Sequence, residues 1–260
     1  MQEFLKNPFL LSAGGLGDLL VSLACVDKDY QKIDVVFFAD NPELIKQAKF
    51  LPIINQLLVF DKAKSLHKWN DFLKLDTCVS TGITPKNFDY SEWKNCDNVF
   101  EKYGVSEFPM FLGKIEPALM ENHPSSGPLG FNMASIMLES KNSNESKKKI
   151  ILEKNIPIIE QELNHKYFIN ILGDSIPNYK IPNKWQPKFG SLEAQIKIIK
   201  GSQIVYSVDS WVKTVSAMSK IPTIVYDNVY SNNYEENMGG QDWGHNIFLN
   251  NWSMIELRKQ

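Results

Sequence analysis

The stretch from Pro187 to Asp227 constrains the fold most, because its pattern predicts helix, strand, turn, helix and strand without a break. Ser191 is a favourable N-cap for the first helix, and Gly201 ends it. The β-branched segment from Gln203 to Val208 is typical of a buried parallel strand, and Thr223 to Tyr226 predicts a second one. Two parallel strands joined by a crossover helix indicate an α/β fold built on a parallel sheet.

Asp209 and Ser210 follow the first of these strands and precede the next helix. In open α/β sheets ligands bind at the carboxyl ends of the strands, and the N–H groups at a helix start favour a phosphate there. The same two residues are also ordinary helix N-caps. The pattern alone therefore supports a phosphate site and a plain cap equally.

The beginning of the chain predicts another βαβ unit. Pro8 to Ala13 and Ile33 to Ala39 indicate two buried strands. A glycine-rich turn at Gly14 to Asp18 lies between them and opens a helix that runs to about Cys25. The turn lacks the Gly-Lys-Ser/Thr sequence of a P-loop, so that class of nucleotide site is excluded.

A dinucleotide fingerprint is one interpretation of this turn. Gly15 and Gly17 match its first two glycines, and Asp40 ends the second strand where a ribose-binding acid would stand. Leu20, however, occupies the place of the third glycine. A Rossmann-type NAD(P)-binding protein therefore stays open as an alternative on the residues alone.

Both segments resemble the ADP-heptose:lipopolysaccharide heptosyltransferases of glycosyltransferase family 9, which have the GT-B fold. The N-terminal match is GGLGDLLVSL, in a family that opens with a strand, a Gly-x-Gly-Asp turn and a leucine-rich helix. Trp211 and Thr214 depart from the family, which has Gly and usually His at these positions. The C-terminal match consists of successive elements in the family's order: Ser191-Leu192-Glu193, Ile204 to Val208, Asp209-Ser210-Trp211, Val215 to Met218 and Pro222 to Tyr226.

The resemblance implies which residues would act. Asp18 matches the family's proposed catalytic base, although an acidic residue is also favoured in the first turn of any helix. Lys184, in Lys184-Trp185-x-Pro187, matches a lysine that contacts the donor's phosphate. The other donor- or diphosphate-binding candidates lie on the glycine-rich turn and at the carboxyl edge of the second sheet: Gly15, Gly17, Ser175, Asp209, Ser210, Trp211 and Lys213.

The implied fold is α/β of GT-B type, with two Rossmann-like domains facing a central cleft. We expect an acceptor-binding domain at residues 1–150 and a nucleotide-sugar-binding domain at residues 151–260, joined by the polar segment Lys141 to Lys149. Segments such as Val105 to Leu138 would hold the acceptor. The family has a further strand and helix after the residue that Lys184 matches, so the second domain is expected to be one βα unit short.

The implied reaction transfers a sugar from a nucleotide-diphosphate sugar to an acceptor hydroxyl, with inversion and without a metal or other cofactor. A cell-surface glycan such as lipopolysaccharide is the expected acceptor, and a modified DNA base is an alternative. Trp211, Thr214 and the shortened second half also leave open a non-catalytic nucleotide- or glycan-binding module of the same descent.

The composition bears on which partners the protein binds and in which cellular compartment it is expected. The net charge of -2 disfavours binding of nucleic acid through bulk electrostatics. Cys25, Cys78 and Cys96 are widely spaced, which predicts reduced thiols and a cytoplasmic protein. No apolar run approaches the roughly 20 residues of a transmembrane helix, and a peripheral membrane contact stays open. Trp252 to Leu257 predicts a short amphipathic helix at the C-terminus.

Overall fold

The computed structural model describes residues 7–24, 32–80, 132–140, 149–163, 166–219, 221–227 and 255–260. The chain divides into two compact units, Met1–Asn122 and His123–Gln260. Each unit is built on a parallel β-sheet, so the predicted α/β class is confirmed.

The first unit contains a sheet in the order β3-β2-β1-β4, in which every described pairing is parallel. Its strands are β1 Phe9–Gly14, β2 Ile33–Ala39, β3 Ile54–Asp61 and β4 Cys78–Ser80. Its helices are α1 Leu16–Ala24, α2 Pro42–Lys46, α3 Lys62–Ser65 and α4 Trp69–Leu73, with 3-10 turns at Gln47–Phe50 and Leu66–Lys68.

Both faces of this sheet are covered, because β1 and β2 are buried along their whole length. On one face α1 packs against β1, and the hydroxyls of Ser12 and Ser22 share a hydrogen bond of 2.6 Å. On the other face α4 brings Trp69 against Phe38, with ring centroids 5.4 Å apart in an edge-to-face arrangement. The sheet therefore lies between a layer that contains α1 and a layer that contains α4. The loops that lead from each strand to the next helix start at the carboxyl ends of the strands.

The second unit has a larger sheet in the order β12-β11-β10-β5-β8-β9, again parallel throughout. Glu139–Ser140 (β6) and Lys149–Ile150 (β7) pair separately as a short antiparallel hairpin. The sheet strands are β5 Asn132–Met137, β8 Tyr167–Ile171, β9 Gln186–Pro187, β10 Ile204–Val208, β11 Thr223–Asp227 and β12 Ile255–Lys259. The helices are α5 Ile156–Leu163, α6 Leu192–Gly201 and α7 Trp211–Met218.

Helices lie on both faces of the second sheet as well. On one face the Tyr206 hydroxyl donates to Glu162 of α5 at 3.0 Å, and the buried Trp185 joins the same apolar cluster. On the other face the hydroxyl of Thr223 on β11 donates to Ser216 of α7 at 2.8 Å. Because alternate residues of a strand face opposite layers, this arrangement buries both sides of the central strands.

The structure differs from the predicted domain organisation in the position of β5. Asn132–Met137 lies between β10 and β8 in the second sheet, so the predicted boundary at residue 150 falls inside the second unit. The predicted linker from Lys141 to Lys149 therefore connects the two strands of the β6–β7 hairpin. Of that segment only Lys149 is described, and most of the predicted acceptor segment, residues 105–131, lies outside the described residues.

The predicted C-terminal helix is wrong, because Ile255–Lys259 is a strand that pairs in parallel with β11. The sequence there alternates apolar and charged residues, and the open edge of β11 decides between strand and helix. Arg258 anchors this strand, donating to both carboxylate oxygens of Glu162 at 2.7 and 2.8 Å and to Glu256 at 2.6 Å. In the part of the chain that the structure describes, no helix is long and apolar enough to cross a membrane.

Candidate functional site

The strand order of the second sheet places a topological switch point between β5 and β10. From β5 the chain moves to β8 and β9 on one side, and from β10 it moves to β11 and β12 on the other. Open α/β sheets bind nucleotides at such a switch point, in the crevice at the carboxyl ends of the two strands. Glu139, Asp209 and Ser210 follow these two strands closely.

A cluster of three charged side chains lies at this switch point. Asp209 accepts a hydrogen bond on Oδ1 from Lys213 and on Oδ2 from Lys149, each at 2.5 Å. Lys213 is 5% exposed, and an ammonium group so buried requires a carboxylate partner. Asp209 thus holds two ammonium groups at the carboxyl end of β10. We call these three residues the Lys-Asp-Lys cluster.

Ser210 caps α7, which confirms the helix start predicted at this position. Its Oγ accepts from the Val212 N–H at 3.2 Å and lies 3.0 Å from the Oγ of Ser207. The Ser210 hydroxyl also donates to the sulfur of Met137 at 3.0 Å, which joins the ends of β10 and β5. Asp209 is engaged in ion pairs, and Ser210 makes a cap hydrogen bond.

Trp211 and Thr214, which depart from the resembled family, are both buried. Trp211 is 8% exposed and Thr214 is 3% exposed. Trp211 is the first residue of α7, and the Thr214 N–H donates to the Ser210 carbonyl at 3.3 Å. At the start of α7 these two side chains therefore contribute to packing, and Ser210 and Lys213 supply the polar groups.

The β6–β7 hairpin sends one charged side chain to each side of the switch point. Glu139 on β6 accepts a hydrogen bond from Ser175, which follows β8. Lys149 on β7 bonds Asp209, which follows β10. The hairpin thereby connects the two loops that border the crevice.

Gln195 fixes the loop after β8. Its Oε1 accepts from the Gly173 N–H at 2.8 Å, and its Nε2 donates to the carbonyls of Gly173 and Gly190, each at 3.2 Å. Gly173 has φ of +101°, a conformation that glycine adopts without strain. The side chain is 5% exposed, so these contacts form away from bulk water and set the position of the segment that carries Ser175.

Lys184 lies on the α5 side of the second unit. Its ammonium is 2.8 Å from Glu160 of α5. Both residues line a cavity of about 460 Å³, whose other lining residues are Glu153, Ile156, Pro157, Lys180, Ile181, Pro182 and Asn183. The residues that line this cavity do not include the Lys-Asp-Lys cluster. A phosphate contact of Lys184 stays a prediction.

The glycine-rich turn of the first unit is organised around Asp18. The Oδ2 of Asp18 accepts from the Gly15 N–H at 2.7 Å, at the carboxyl end of β1. Gly14 has φ of +121°, and a Cβ added to it would lie 2.4 Å from the same carboxylate oxygen. Glycine at this position therefore leaves the space that the Asp18 carboxylate occupies, and Gly17 lies within α1.

A dinucleotide site would need the Gly15 N–H and the Asp40 carboxylate to be available to the ligand, and both groups bond other residues of the protein. The Gly15 N–H, which would face a pyrophosphate, donates to Asp18. Asp40, the candidate ribose-binding acid, is paired with Lys62 at 3.1 Å. These contacts disfavour a dinucleotide site of this kind in the first unit.

Lys149, Glu139 and Gln195 are the residues of the site that the sequence did not indicate. Lys149 ends the polar segment that was predicted to join the two domains, and Gln195 lies in the predicted helix that Ser191 caps. Each is placed by a contact between segments far apart in the chain, which no local pattern encodes.

No protein-family model matches the chain, and no curated protein sequence is significantly similar to it. Among solved structures, the heptosyltransferase WaaC of E. coli, solved with ADP, matches with 10% identity and a TM-score of 0.50, covering 84% of this chain and 87% of WaaC. The iron-containing dodecameric glycosyltransferase TibC of enterotoxigenic E. coli H10407 matches with 15% identity and a TM-score of 0.45. That match covers 84% of this chain and 59% of TibC, so the chain spans about three fifths of that protein. The likeness to WaaC shows the fold, which is α/β of GT-B type with Rossmann-like units.

Proposed function

We propose that the chain is a glycosyltransferase that moves a sugar from a nucleotide-diphosphate sugar to an acceptor hydroxyl. The observation that carries this proposal is the Lys-Asp-Lys cluster at the switch point of the second sheet. A nucleotide diphosphate needs several hydrogen-bond donors at the carboxyl ends of parallel strands, and the two ammonium groups and the start of α7 provide donors at this edge. The GT-B fold agrees with this chemistry but does not by itself supply it.

The leaving diphosphate would be stabilised by Lys213, Ser210 and the N–H groups at the start of α7. A carboxylate repels a diphosphate, so the proposed role of Asp209 is to hold the ammonium groups in place. Preorganised cations and N–H dipoles favour the charge that develops as the bond between the anomeric carbon and the diphosphate oxygen breaks. In this proposal the reaction uses no metal.

Asp18 is the proposed general base. Its carboxylate is oriented by the Gly15 N–H, and an ionised carboxylate accepts hydrogen bonds at both of its oxygens. It would take the proton of the acceptor hydroxyl while that oxygen attacks the anomeric carbon opposite the leaving diphosphate. The new glycosidic bond then has inverted configuration, and the nucleoside diphosphate leaves with its electron pair.

A binding panel tests this function directly. Thermal unfolding is measured with ADP, UDP, GDP, CMP, their sugar conjugates and NAD(P), because a ligand at 100 times its Kd stabilises the native state by about 2.7 kcal/mol. We expect stabilisation by one nucleoside diphosphate and its sugar conjugate. Stabilisation by NAD(P) alone would support a dinucleotide-binding protein instead. Binding of a sugar nucleotide without turnover on any acceptor would support a non-catalytic module.

The acceptor is proposed to be a cell-surface glycan such as a lipopolysaccharide core. With the donor found by the panel, transfer is measured to a lipopolysaccharide core and to DNA that contains hydroxylated bases. Incorporation of the sugar into the glycan alone is the expected result. Incorporation into DNA alone would assign the acceptor to the alternative class.

A further inference from the structure

We propose that Gln260 is a positioning residue for the switch-point edge of the second unit: its side-chain amide fixes Ile150–Leu152 and thereby holds Lys149 against Asp209. That this edge serves a nucleotide sugar rests on the proposed function. The coupling of Gln260 to Lys149 rests on the described contacts.

The amide of Gln260 bonds the chain where β7 leads toward α5. Its Oε1 accepts from the Leu152 N–H at 2.7 Å, and its Nε2 donates to the Ile150 carbonyl at 3.1 Å. The Nδ2 of Asn155 donates to the same Oε1 at 2.7 Å. A residue of a neighbouring parallel strand would bond the two residues that flank Ile151 in this way. The Gln260 side chain therefore acts as a strand partner for this segment.

Ile151 is held from its other side as well. Its N–H donates to the Leu138 carbonyl at 2.8 Å, and its carbonyl accepts from the Tyr179 hydroxyl at 2.7 Å. Its side chain is fully buried. The segment is thus bonded on both sides, and Gln260 supplies the bonds of one side.

Ile150 connects this segment to the switch point. It pairs with Glu139 in the β6–β7 hairpin and follows Lys149 directly in the chain. Lys149 donates to Asp209 at the carboxyl end of β10, and Glu139 accepts from Ser175 beyond β8. A movement of Ile150 would therefore displace charged side chains on both sides of the switch point.

The strand that leads to Gln260 is itself fixed on the sheet. Ile255–Lys259 pairs with β11 along its whole length. Arg258 of this strand bonds Glu162 in the last turn of α5, and Gln260 bonds the segment before the first turn of that helix. The edge strand thus contacts both ends of the α5 region, which couples it to the hairpin.

Acetylation of lysines, followed by mass spectrometry, tests this assignment on the full chain. The proteins compared are the wild type, Gln260→Leu, Gln260→Glu and the control Gln161→Leu, which changes an exposed glutamine of α5. Lys149 reports on the hairpin. Lys197, a partly exposed lysine that is paired with Glu193 in the same unit, reports on general loosening.

The two variants at position 260 separate the contributions of the amide. In Gln260→Leu the hydrogen bonds of the amide are lost, and we expect Lys149 to be acetylated at least about threefold faster because the segment opens more often. Gln260→Glu keeps the oxygen that accepts from Leu152 and Asn155, so its rate should lie between those of the wild type and Gln260→Leu. The rate at Lys197 should stay the same in every protein, and Gln161→Leu should match the wild type. Equal rates at Lys149 in the wild type and Gln260→Leu, or an equal rise at Lys197, would overturn the proposal.

Amide hydrogen exchange of the wild type keeps the test independent of folding of the variants. The Leu152 N–H should exchange as slowly as the Ile151 N–H, because both are hydrogen-bonded. Exchange of Leu152 at the rate of an unprotected amide would show that the bond to Gln260 does not form, and would overturn the assignment.

The two proposals fail in different ways. If acetylation of Lys149 responds to Gln260→Leu but the wild type turns over no sugar nucleotide, the glycosyltransferase function fails and the positioning role stands. If the wild type transfers sugar and Lys149 is acetylated equally in the wild type and Gln260→Leu, the function stands and the positioning role fails.

Discussion

Replacement of Gln195 by leucine should destabilise the second unit, because the amide side chain joins two segments of backbone in a buried position. Gln195→Leu keeps a similar volume and removes the hydrogen bonds to the Gly173 N–H, the Gly173 carbonyl and the Gly190 carbonyl. Gly173 is buried, whereas Gly190 is exposed and its carbonyl can be hydrated. Two backbone groups therefore lose their partners.

The expected magnitude follows from these two groups. A buried donor or acceptor without a partner costs about 1–3 kcal/mol, so the pair gives a loss of about 2–6 kcal/mol in the free energy of unfolding. Water that enters beside the exposed Gly190 favours the lower half of that range. The loop that carries Ser175 should also lose order, because Gly173 is no longer held.

Urea unfolding followed by tryptophan fluorescence measures this loss, since Trp185 lies in the core of the second unit. Gln161→Leu, at an exposed position of α5, is the matched control and should change stability by less than about 0.5 kcal/mol. Amide hydrogen exchange at Gly173 should accelerate in Gln195→Leu. A Gln195→Leu protein as stable as the control, with unchanged exchange at Gly173, would refute the reasoning.

Three further predictions concern other parts of the chain. Burial raises the pKa of the Cys78 thiol from 9.0 to about 11, so its thiolate fraction at pH 8 is about a hundredfold below that of an exposed thiol. With the other cysteines replaced by serine, iodoacetamide labelling should be correspondingly slow and should accelerate up to about pH 11; labelling at the rate of a free thiol would contradict this. Gly14→Ala forces a Cβ to within 2.4 Å of Asp18 Oδ2 at φ of +121° and should cost about 1–3 kcal/mol or more in chemical unfolding, whereas Gly190→Ala meets nothing within 4 Å and should be near neutral. Arg258→Met removes the side-chain bonds that tie β12 to α5 and should cost about 1 kcal/mol, which is limited because the pair is partly exposed; an unchanged urea midpoint would show that the strand is held by other contacts.

Local patterns predicted the elements that local forces determine. Ser191 caps α6 by accepting from the Ala194 N–H at 3.2 Å, as its sequence position predicted. The β-branched strand ending at Val208 and the turn to α7 were also predicted, because their signals lie within a few neighbouring residues. The parallel sheet follows from the order of these elements.

Contacts between distant segments were not predictable in this way. Asn132–Met137 belongs to the segment that was predicted to hold the acceptor in the first domain, and its pairing with β8 and β10 assigns it to the second sheet instead. Ile255–Lys259 is a strand because β11 offers an edge to pair with. Lys149 reaches Asp209 only after the hairpin has closed, so its place at the site has no signature in the sequence.

Release of nucleoside diphosphate from the stabilising sugar nucleotide is the measurement that tests the central claim most directly. It is made with the wild type and with Asp18→Asn, in the presence of a lipopolysaccharide-core acceptor. The account predicts acceptor-dependent release by the wild type, and a loss of at least a hundredfold in turnover for Asp18→Asn with the affinity for the nucleotide unchanged. Full activity of Asp18→Asn would contradict the role of Asp18, and no release by the wild type from any sugar nucleotide that it binds would contradict the transferase function itself.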